Sequence, residues 1–130
     1  MPLVIRELHA APTTGALNEE WFVIENTGTG ELHTAGVTIA VSQRGKRPRN
    51  LGTLSPGFAI RPGERVRLIT GSAAKKSQGA PPAEEEGVRN YHLFLQEPVL
   101  ARSGELLLLL KQFELCRTTI GGSGASAGKA

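Results

Sequence analysis

Hydrophobic and polar residues alternate along this chain in short runs, a pattern typical of β-strands. Residues 36–42 are the clearest case, because Val37, Ile39 and Val41 share one face while small or hydroxyl side chains occupy the other. Residues 20–27 place two aromatic and two β-branched side chains in succession, so both faces of this segment are apolar. We therefore expect a half-buried strand at 36–42 and a central strand at 20–27.

Further short strands are predicted along the chain, separated by turns rich in glycine and proline. The predicted strands are residues 2–8, 20–27, 36–42, 51–54, 58–60, 65–70 and 90–96, with two more within 105–116. Five consecutive leucines in the last segment fit a strand or a buried helix, and the turns that flank the segment favour strands. Seven to nine short antiparallel strands predict an all-β fold, either a β-sandwich or a β-barrel.

The length and composition fit one globular domain. The chain has 130 residues, 39% of them hydrophobic and 21% charged. We assign residues 1–120 to the domain, and residues 121–130, which are glycine, serine, alanine and one lysine, to a flexible tail. The apolar run at the amino terminus is too short for a secretory signal, and no run is long enough to cross a bilayer. An intracellular, cytoplasmic protein without a membrane span is expected.

Several motifs, in order, resemble one known family. Residues 18–28 are Asn-Glu-Glu-Trp-Phe-Val-Ile-Glu-Asn-Thr-Gly, and residues 60–66 are Ile-Arg-Pro-Gly-Glu-Arg-Val. Leu32 precedes Gly-Val-Thr-Ile at 36–39, and Ser-Gly-Glu-Leu at 103–106 precedes the Cys-Arg pair at 116–117. This series resembles the lamin-tail domain over roughly residues 2–120.

The resemblance implies an immunoglobulin-like sandwich that binds or anchors and contains no catalytic residues. It implies binding to proteins or nucleic acid, or targeting to a surface, and we expect a protein partner. Val37 stands where the family often has tryptophan. The lone tryptophan, Trp21, is expected to pack in the centre of the core, because one such side chain supplies a large buried area.

Candidate catalytic and metal-binding residues are sparse. All 12 acidic residues are glutamate, and the three histidines, His9, His33 and His92, belong to different predicted elements. A zinc site would need them to converge, with Cys116 as a further ligand. Cys116 is the only cysteine, so it forms no intramolecular disulfide, and its strand context favours a buried structural thiol. We predict no enzyme activity, no cofactor and no metal.

A basic cluster is the first candidate binding site. Arg44, Lys46, Arg47 and Arg49 place four positive charges within six residues of a turn, in a chain of net charge +3. Such a cluster can neutralise phosphates, so weak, sequence-independent nucleic-acid binding is the alternative function. The competing interpretation is a solvated hairpin tip whose charges protect a sheet edge from aggregation. This second interpretation is favoured, because no aromatic residues are interleaved for base stacking.

The long irregular segment at residues 71–88 is the second candidate site. It contains Lys75, Lys76, Pro81 and Pro82, and it could form a partner-binding loop. The segment has almost no large apolar side chain before Val88, so little burial offsets the entropy of ordering it. We expect it to be mobile in the free protein, either as a loop that orders on binding or as a tolerated insertion.

Overall fold

The computed structural model describes residues 3–11, 15–43, 46–72, 76–84, 87–95, 97–100, 103–111 and 113–121. Within these ranges it contains ten β-strands and two short 3-10 turns, at Leu17–Glu19 and Lys76–Gln78. The strands are β1 (Leu3–His9), β2 (Trp21–Asn26), β3 (Leu32–His33), β4 (Val37–Ser42), β5 (Arg49–Thr53), β6 (Ala59–Ile60), β7 (Arg65–Ile69), β8 (Val88–His92), β9 (Ser103–Leu110) and β10 (Phe113–Gly121). The predicted all-β class is confirmed, with slightly more strands than the seven to nine expected.

The strands form two four-stranded sheets and a small ribbon. The first sheet has the order β1-β2-β7-β8, the second has the order β10-β9-β4-β5, and β3 pairs with β6 in the ribbon. Alternate residues of both sheets meet in one apolar core, as a sandwich requires. Central members of this core are Phe22, Ile24, Val66 and Leu68 from the first sheet, and Val37, Ile39, Leu106 and Leu108 from the second.

The leucine-rich segment forms a hairpin, as predicted. β9 lies between β4 and β10 and pairs with both in antiparallel register. Leu106 and Leu108 enter the core, while Leu107 lies opposite Arg117 on the other face and is also buried. Both faces of β9 are therefore covered, which explains why the sequence here is uniformly apolar and not alternating. β10 ends at Gly121, and the remaining residues of the predicted tail, 122–130, lie outside the described part of the chain.

One strand pair departs from the predicted antiparallel arrangement. β8 runs parallel to β7, with Arg65 opposite Val88 and Ile69 opposite His92. Parallel neighbours cannot be joined by a tight turn, because the chain must return along the full length of the strand before it pairs again. The long segment between β7 and β8 is therefore a crossover connection, and its length has a topological reason.

The described part of this crossover is attached to the sandwich. Side chains of the sandwich donate hydrogen bonds to its carbonyl oxygens: Asn18 to Gly79 at 3.0 Å, Asn90 to Pro82 at 2.7 Å, and Arg67 to Ala83 at 3.2 Å. The predicted mobility is based on the small number of large apolar side chains within the segment, whereas these hydrogen bonds come from residues outside it. It stays a prediction until exchange is measured, and these contacts favour the opposite result.

Amide hydrogen exchange tests the attachment through Asn18. This side chain is fully buried and also donates to the carbonyl of Ser72 at 2.9 Å, so Asn18→Ala removes two anchors of the crossover. The amide of Ser72, which donates to Gln78 Oε1 at 2.8 Å, should exchange at least about tenfold faster in this variant. Asn50→Ala, on the exposed part of β5, is the control and should change nothing there. A Ser72 amide that already exchanges at the random-coil rate in the unmodified protein would support mobility instead.

The position of the Trp21 side chain differs from the predicted one. Phe22 fills the core position, and Trp21 lies half-buried on the opposite face of the first sheet. His9 stacks on its ring with centroids 4.6 Å apart, and the Arg67 guanidinium lies 4.9 Å from its centroid. The prediction of a central core position for Trp21 was wrong, because β2 is apolar on both faces and periodicity alone does not say which face meets the other sheet.

Candidate functional site

The structure keeps the candidate metal ligands apart. His9 lies on β1, His33 on β3 and His92 on β8. Among the described residues, no group of three or more His, Cys, Asp or Glu side chains is arranged to hold a metal ion. The convergence that a zinc site requires is therefore not found within those residues.

Cys116 packs against the core from β10. Burial, and after it the negative charge of Glu114, raise the pKa of its thiol to about 12. At neutral pH the sulfur therefore stays protonated, and a protonated thiol is a poor nucleophile and a poor metal ligand. This supports the prediction of a structural thiol.

Alkylation should reveal this pKa directly. An ordinary cysteine with a pKa near 8.5 is partly thiolate at pH 8, whereas a thiol with a pKa of about 12 is almost entirely protonated. Iodoacetamide at pH 8 should therefore modify Cys116 at least about 100-fold more slowly in the folded protein than in urea. Mass spectrometry at timed intervals measures both rates. Equal rates in the two states would contradict the raised pKa.

The basic cluster lies at the hairpin between β4 and β5. Lys46, Arg47 and Arg49 are all exposed, while Arg44 lies outside the described residues. Arg49 is 3.4 Å from Glu97, and about 60% of each of these two side chains is exposed (59% and 60%). An exposed ion pair of this kind contributes little, so Arg49 can exchange Glu97 for another anion.

Half of the second candidate set is described in full. Lys75 lies outside the described residues, and Lys76 begins the second 3-10 turn. Pro81 and Pro82 are half-buried in the crossover, and the carbonyl of Pro82 accepts a hydrogen bond from Asn90 of the first sheet. The described part of this set is therefore attached to the first sheet, whereas the basic hairpin belongs to the second.

Sequence reasoning missed Phe94, which follows β8. Its side chain is 66% exposed, and its backbone φ is +56°. Aromatic residues rarely adopt this left-handed conformation, which costs roughly 1–2 kcal/mol. Three successive amide groups hold the backbone in place: Leu93 donates to Ile69, Phe94 to Gly71 and Leu95 to Thr70, at 2.7, 3.3 and 2.8 Å. The fold thus presents a large apolar side chain to solvent on a strained backbone.

A shallow cleft of about 100 Å³ lies beside Phe94. It forms where β5, the last strand of the second sheet, approaches β8 and the residues that follow it. The side chain of Leu95 packs so closely over Gly52 that a Cβ atom there would lie 3.0 Å from it. Polar and apolar atoms both line the cleft, and its apolar side chains include those of Ile39, Leu93 and Leu95.

β5 presents an unpaired edge at this place. Leu54 donates to Val37 at 2.8 Å and accepts from Gly36 at 2.9 Å, so both of its backbone polar groups face β4. Backbone groups alternate in direction along a strand, so the N–H and C=O of Thr53 face away from β4. Within the described sheet, β5 has no neighbour on that side. The outward groups of Thr53 can therefore pair with another chain.

We call the residues on and next to this edge of β5, together with Phe94, the β5 edge surface. Glu97, the partner of Arg49, is three residues from Phe94 in sequence, so the two Cα atoms are at most about 11 Å apart. The surface consists of Lys46, Arg47, Arg49, Gly52, Thr53 and Phe94. Its chemistry is that of a binding surface: an apolar anchor, free backbone groups and a cluster of cations.

Comparison with known proteins gives no family assignment: no protein-family model matches the chain, and no curated protein matches it. The lamin-tail resemblance therefore stays a prediction from the sequence motifs. In the part of the chain that the structure describes, no helix has the length and apolar character needed to span a bilayer.

Proposed function

We propose that this protein is a non-catalytic interaction module that binds a partner protein through the β5 edge surface. The observation that carries the proposal is Phe94, which is 66% exposed at a φ of +56°. Asparagine or glycine would suit this backbone conformation better, and a polar side chain would suit the solvent better. Residues held in a strained backbone conformation cluster at functional sites, and Phe94 has such a conformation.

The architecture supports the same proposal. Sandwich domains commonly bind partners through exposed edge strands or through the loops beside them. Here the edge strand β5, the hairpin that precedes it and Phe94 lie together. The lamin-tail resemblance supports a binding, anchoring or targeting role in the same way, and it brings no catalytic residues to this chain.

Phe94→Asn should separate binding from stability. Asparagine tolerates a φ of +56° far better than phenylalanine, so the variant should be about 0.5–1 kcal/mol more stable in urea unfolding, or at least unchanged. Phe113→Asn is the matched control, because Phe113 is 75% exposed but lies in β10 with ordinary strand geometry. A clear loss of stability in Phe94→Asn would mean that Phe94 serves the fold.

Photo-crosslinking in cells that make the protein tests the binding surface. A photoreactive phenylalanine analogue at position 94 should crosslink to a discrete partner protein, and the same analogue at position 113 should not. Both positions are exposed, so the difference reports location and not accessibility. Equal crosslinking from the two positions, or none from position 94, would contradict the proposal.

Weak nucleic-acid binding is the second candidate function, and the exposure of Lys46, Arg47 and Arg49 is the observation in its favour. It predicts sequence-independent binding of DNA that falls steeply as salt is raised. Replacing these three residues and Arg44 by glutamine should abolish such binding at low salt and flatten its salt dependence. Unchanged low-salt binding in this quadruple variant would exclude the hairpin as the site.

A further inference from the structure

We propose that the β5 edge surface binds an acidic, extended polypeptide segment that pairs with β5 as an additional antiparallel strand. The segment places one apolar side chain in the cleft beside Phe94 and its carboxylates against Lys46, Arg47 and Arg49. This inference rests on the proposed function and adds to it the chemical class and the direction of the partner. Four observations carry it: the open edge, the cleft, the cations and their order along β5.

The open edge favours an extended polypeptide as the partner. The N–H and C=O of Thr53 face away from β4, and β5 is the last strand of its sheet. Only another polypeptide offers a donor and an acceptor at the repeat distance of a strand. A nucleic acid can contact the cations but cannot continue the β5 ladder.

The cleft limits what the segment inserts. Its volume of about 100 Å³ is below the roughly 300–1,000 Å³ of typical ligand pockets and equals about three water molecules. It accommodates one aliphatic side chain, in contact with Phe94 and Leu95. An aliphatic residue therefore suits this position better than a cofactor or a metabolite.

The charges favour an acidic segment. Lys46, Arg47 and Arg49 are exposed, and Glu97 is the carboxylate paired with Arg49, at 3.4 Å. β5 itself has the sequence Arg-Asn-Leu-Gly-Thr and contains no acidic residue. A second copy of β5 would therefore add cations without a compensating carboxylate, whereas an acidic partner would complement the cluster.

The order of these features gives the direction of the segment. The cleft lies beside Gly52, and Arg49 begins β5 three residues earlier, roughly 10 Å away along the strand. Antiparallel pairing, the more common and slightly more stable form, reverses the direction of the partner. In the sequence of the partner segment, the apolar residue should therefore come first, and the acidic residues should begin about three positions later.

A fluorescent peptide titrated with the complete protein tests the class of partner. The probe is a soluble peptide of about ten residues with one leucine followed, three to five positions later, by three glutamates. It should bind, and binding should weaken about tenfold or more when the leucine becomes serine, when the glutamates become glutamine, or when their order is reversed. If the peptide of reversed order binds equally well, the assigned direction is wrong. If the glutamine peptide binds equally well, the charge requirement is wrong.

Variants of the protein identify the surface. Phe94→Asn should abolish binding of the probe peptide, and Lys46→Gln and Arg47→Gln should each weaken it about three- to fivefold. Glu97→Gln should strengthen it, because the variant removes the carboxylate that competes for Arg49. Phe113→Asn should bind like the unmodified protein. Weaker binding in Glu97→Gln would contradict the assigned role of Arg49.

Hydrogen exchange distinguishes strand pairing from docking of side chains alone. In the free protein the outward amide of Thr53 should exchange rapidly, and saturation with the peptide should slow it at least about tenfold. If the Thr53 amide exchanges at the same rate in the complex as in the free protein, the partner does not pair with β5 as an added strand.

The test also separates this inference from the proposed function. If position 94 crosslinks to a protein partner in cells but the peptide does not bind, the proposed function stands and the acidic strand is wrong. If both experiments fail, both proposals fall. An oligonucleotide, or a second copy of the chain, that binds in the peptide's place and depends on Phe94 would overturn the acidic polypeptide as the partner.

Discussion

Replacing Glu20 by alanine is expected to lower the free energy of unfolding by about 4 kcal/mol. Glu20 precedes β2 and is only 1% exposed. Its carboxylate accepts hydrogen bonds from the hydroxyl of Thr70 at 2.6 Å and from the amides of Val99 and Leu100 at 2.7 and 3.0 Å. Each of these buried donors loses its acceptor in the variant, at about 1–3 kcal/mol each, with contributions that do not simply add.

Glu97→Ala is the control for Glu20→Ala. Its side chain is 60% exposed and forms one ion pair at 3.4 Å, so its removal should change stability by less than about 0.5 kcal/mol. Urea unfolding of both variants provides the measurement. Glu20→Gln should fall between alanine and the unmodified protein, because one oxygen remains to accept. A loss below about 1 kcal/mol in Glu20→Ala would mean that the three donors find other acceptors.

Asn26→Asp is expected to destabilise the fold by about 3 kcal/mol, although the two side chains have the same shape. Asn26 is fully buried at the end of β2, and its amide nitrogen donates to the carbonyls of Gly30 and Ile60 at 2.8 and 2.9 Å. Its side-chain oxygen accepts from the amide of Gly28 at 2.9 Å. Aspartate keeps this last bond, but it places an oxygen against two carbonyl oxygens.

The measurement for Asn26→Asp is again urea unfolding, and its pH dependence adds a second readout. A buried aspartate facing two carbonyls should bind a proton more tightly than an unfolded one, whose pKa is near 3.9. The destabilisation should therefore shrink as the pH is lowered from above the raised pKa of the folded variant towards 3.9, because protonation restores one donor. Asn50→Asp, at an exposed position of β5, is the control. Equal effects of the two substitutions would show that Asn26 does not connect the two turns as the contacts indicate.

These two residues also explain part of the sequence motif. Asn26 joins the Asn-Thr-Gly turn to the segment at Ile60, and its backbone C=O accepts from Gly63 at 2.7 Å. Glu20 joins the start of β2 to residues 99 and 100, which immediately follow Glu97 and Pro98 beside the β5 edge surface. Glu20 and Asn26 of the motif thus stabilise the scaffold beside this surface.

Local patterns alone predicted most of the strands and at least one turn. Alternation of apolar and polar residues identified β4, since a strand repeats every two residues wherever one face is buried, and a run of aromatic and β-branched residues identified β2. The Arg-Pro-Gly-Glu sequence is typical of a turn with a positive φ at glycine, and Gly63 has a φ of +82° while the amide of Glu64 donates to the carbonyl of Arg61 at 2.9 Å. These features depend on neighbours in sequence, so the sequence contains the information directly.

Tertiary structure decided the features that carry the proposed function. The left-handed backbone of Phe94 follows from amide contacts with carbonyls of residues 69–71, which are distant in sequence, and no local motif at Phe94 predicts it. The parallel position of β8 and the outward position of Trp21 likewise depend on which strands become neighbours. The basic cluster was visible in the sequence, but its place on the open edge strand that also borders the cleft was not. The reason is physical: periodicity determines which residues share a face, whereas contacts between distant segments determine what that face meets.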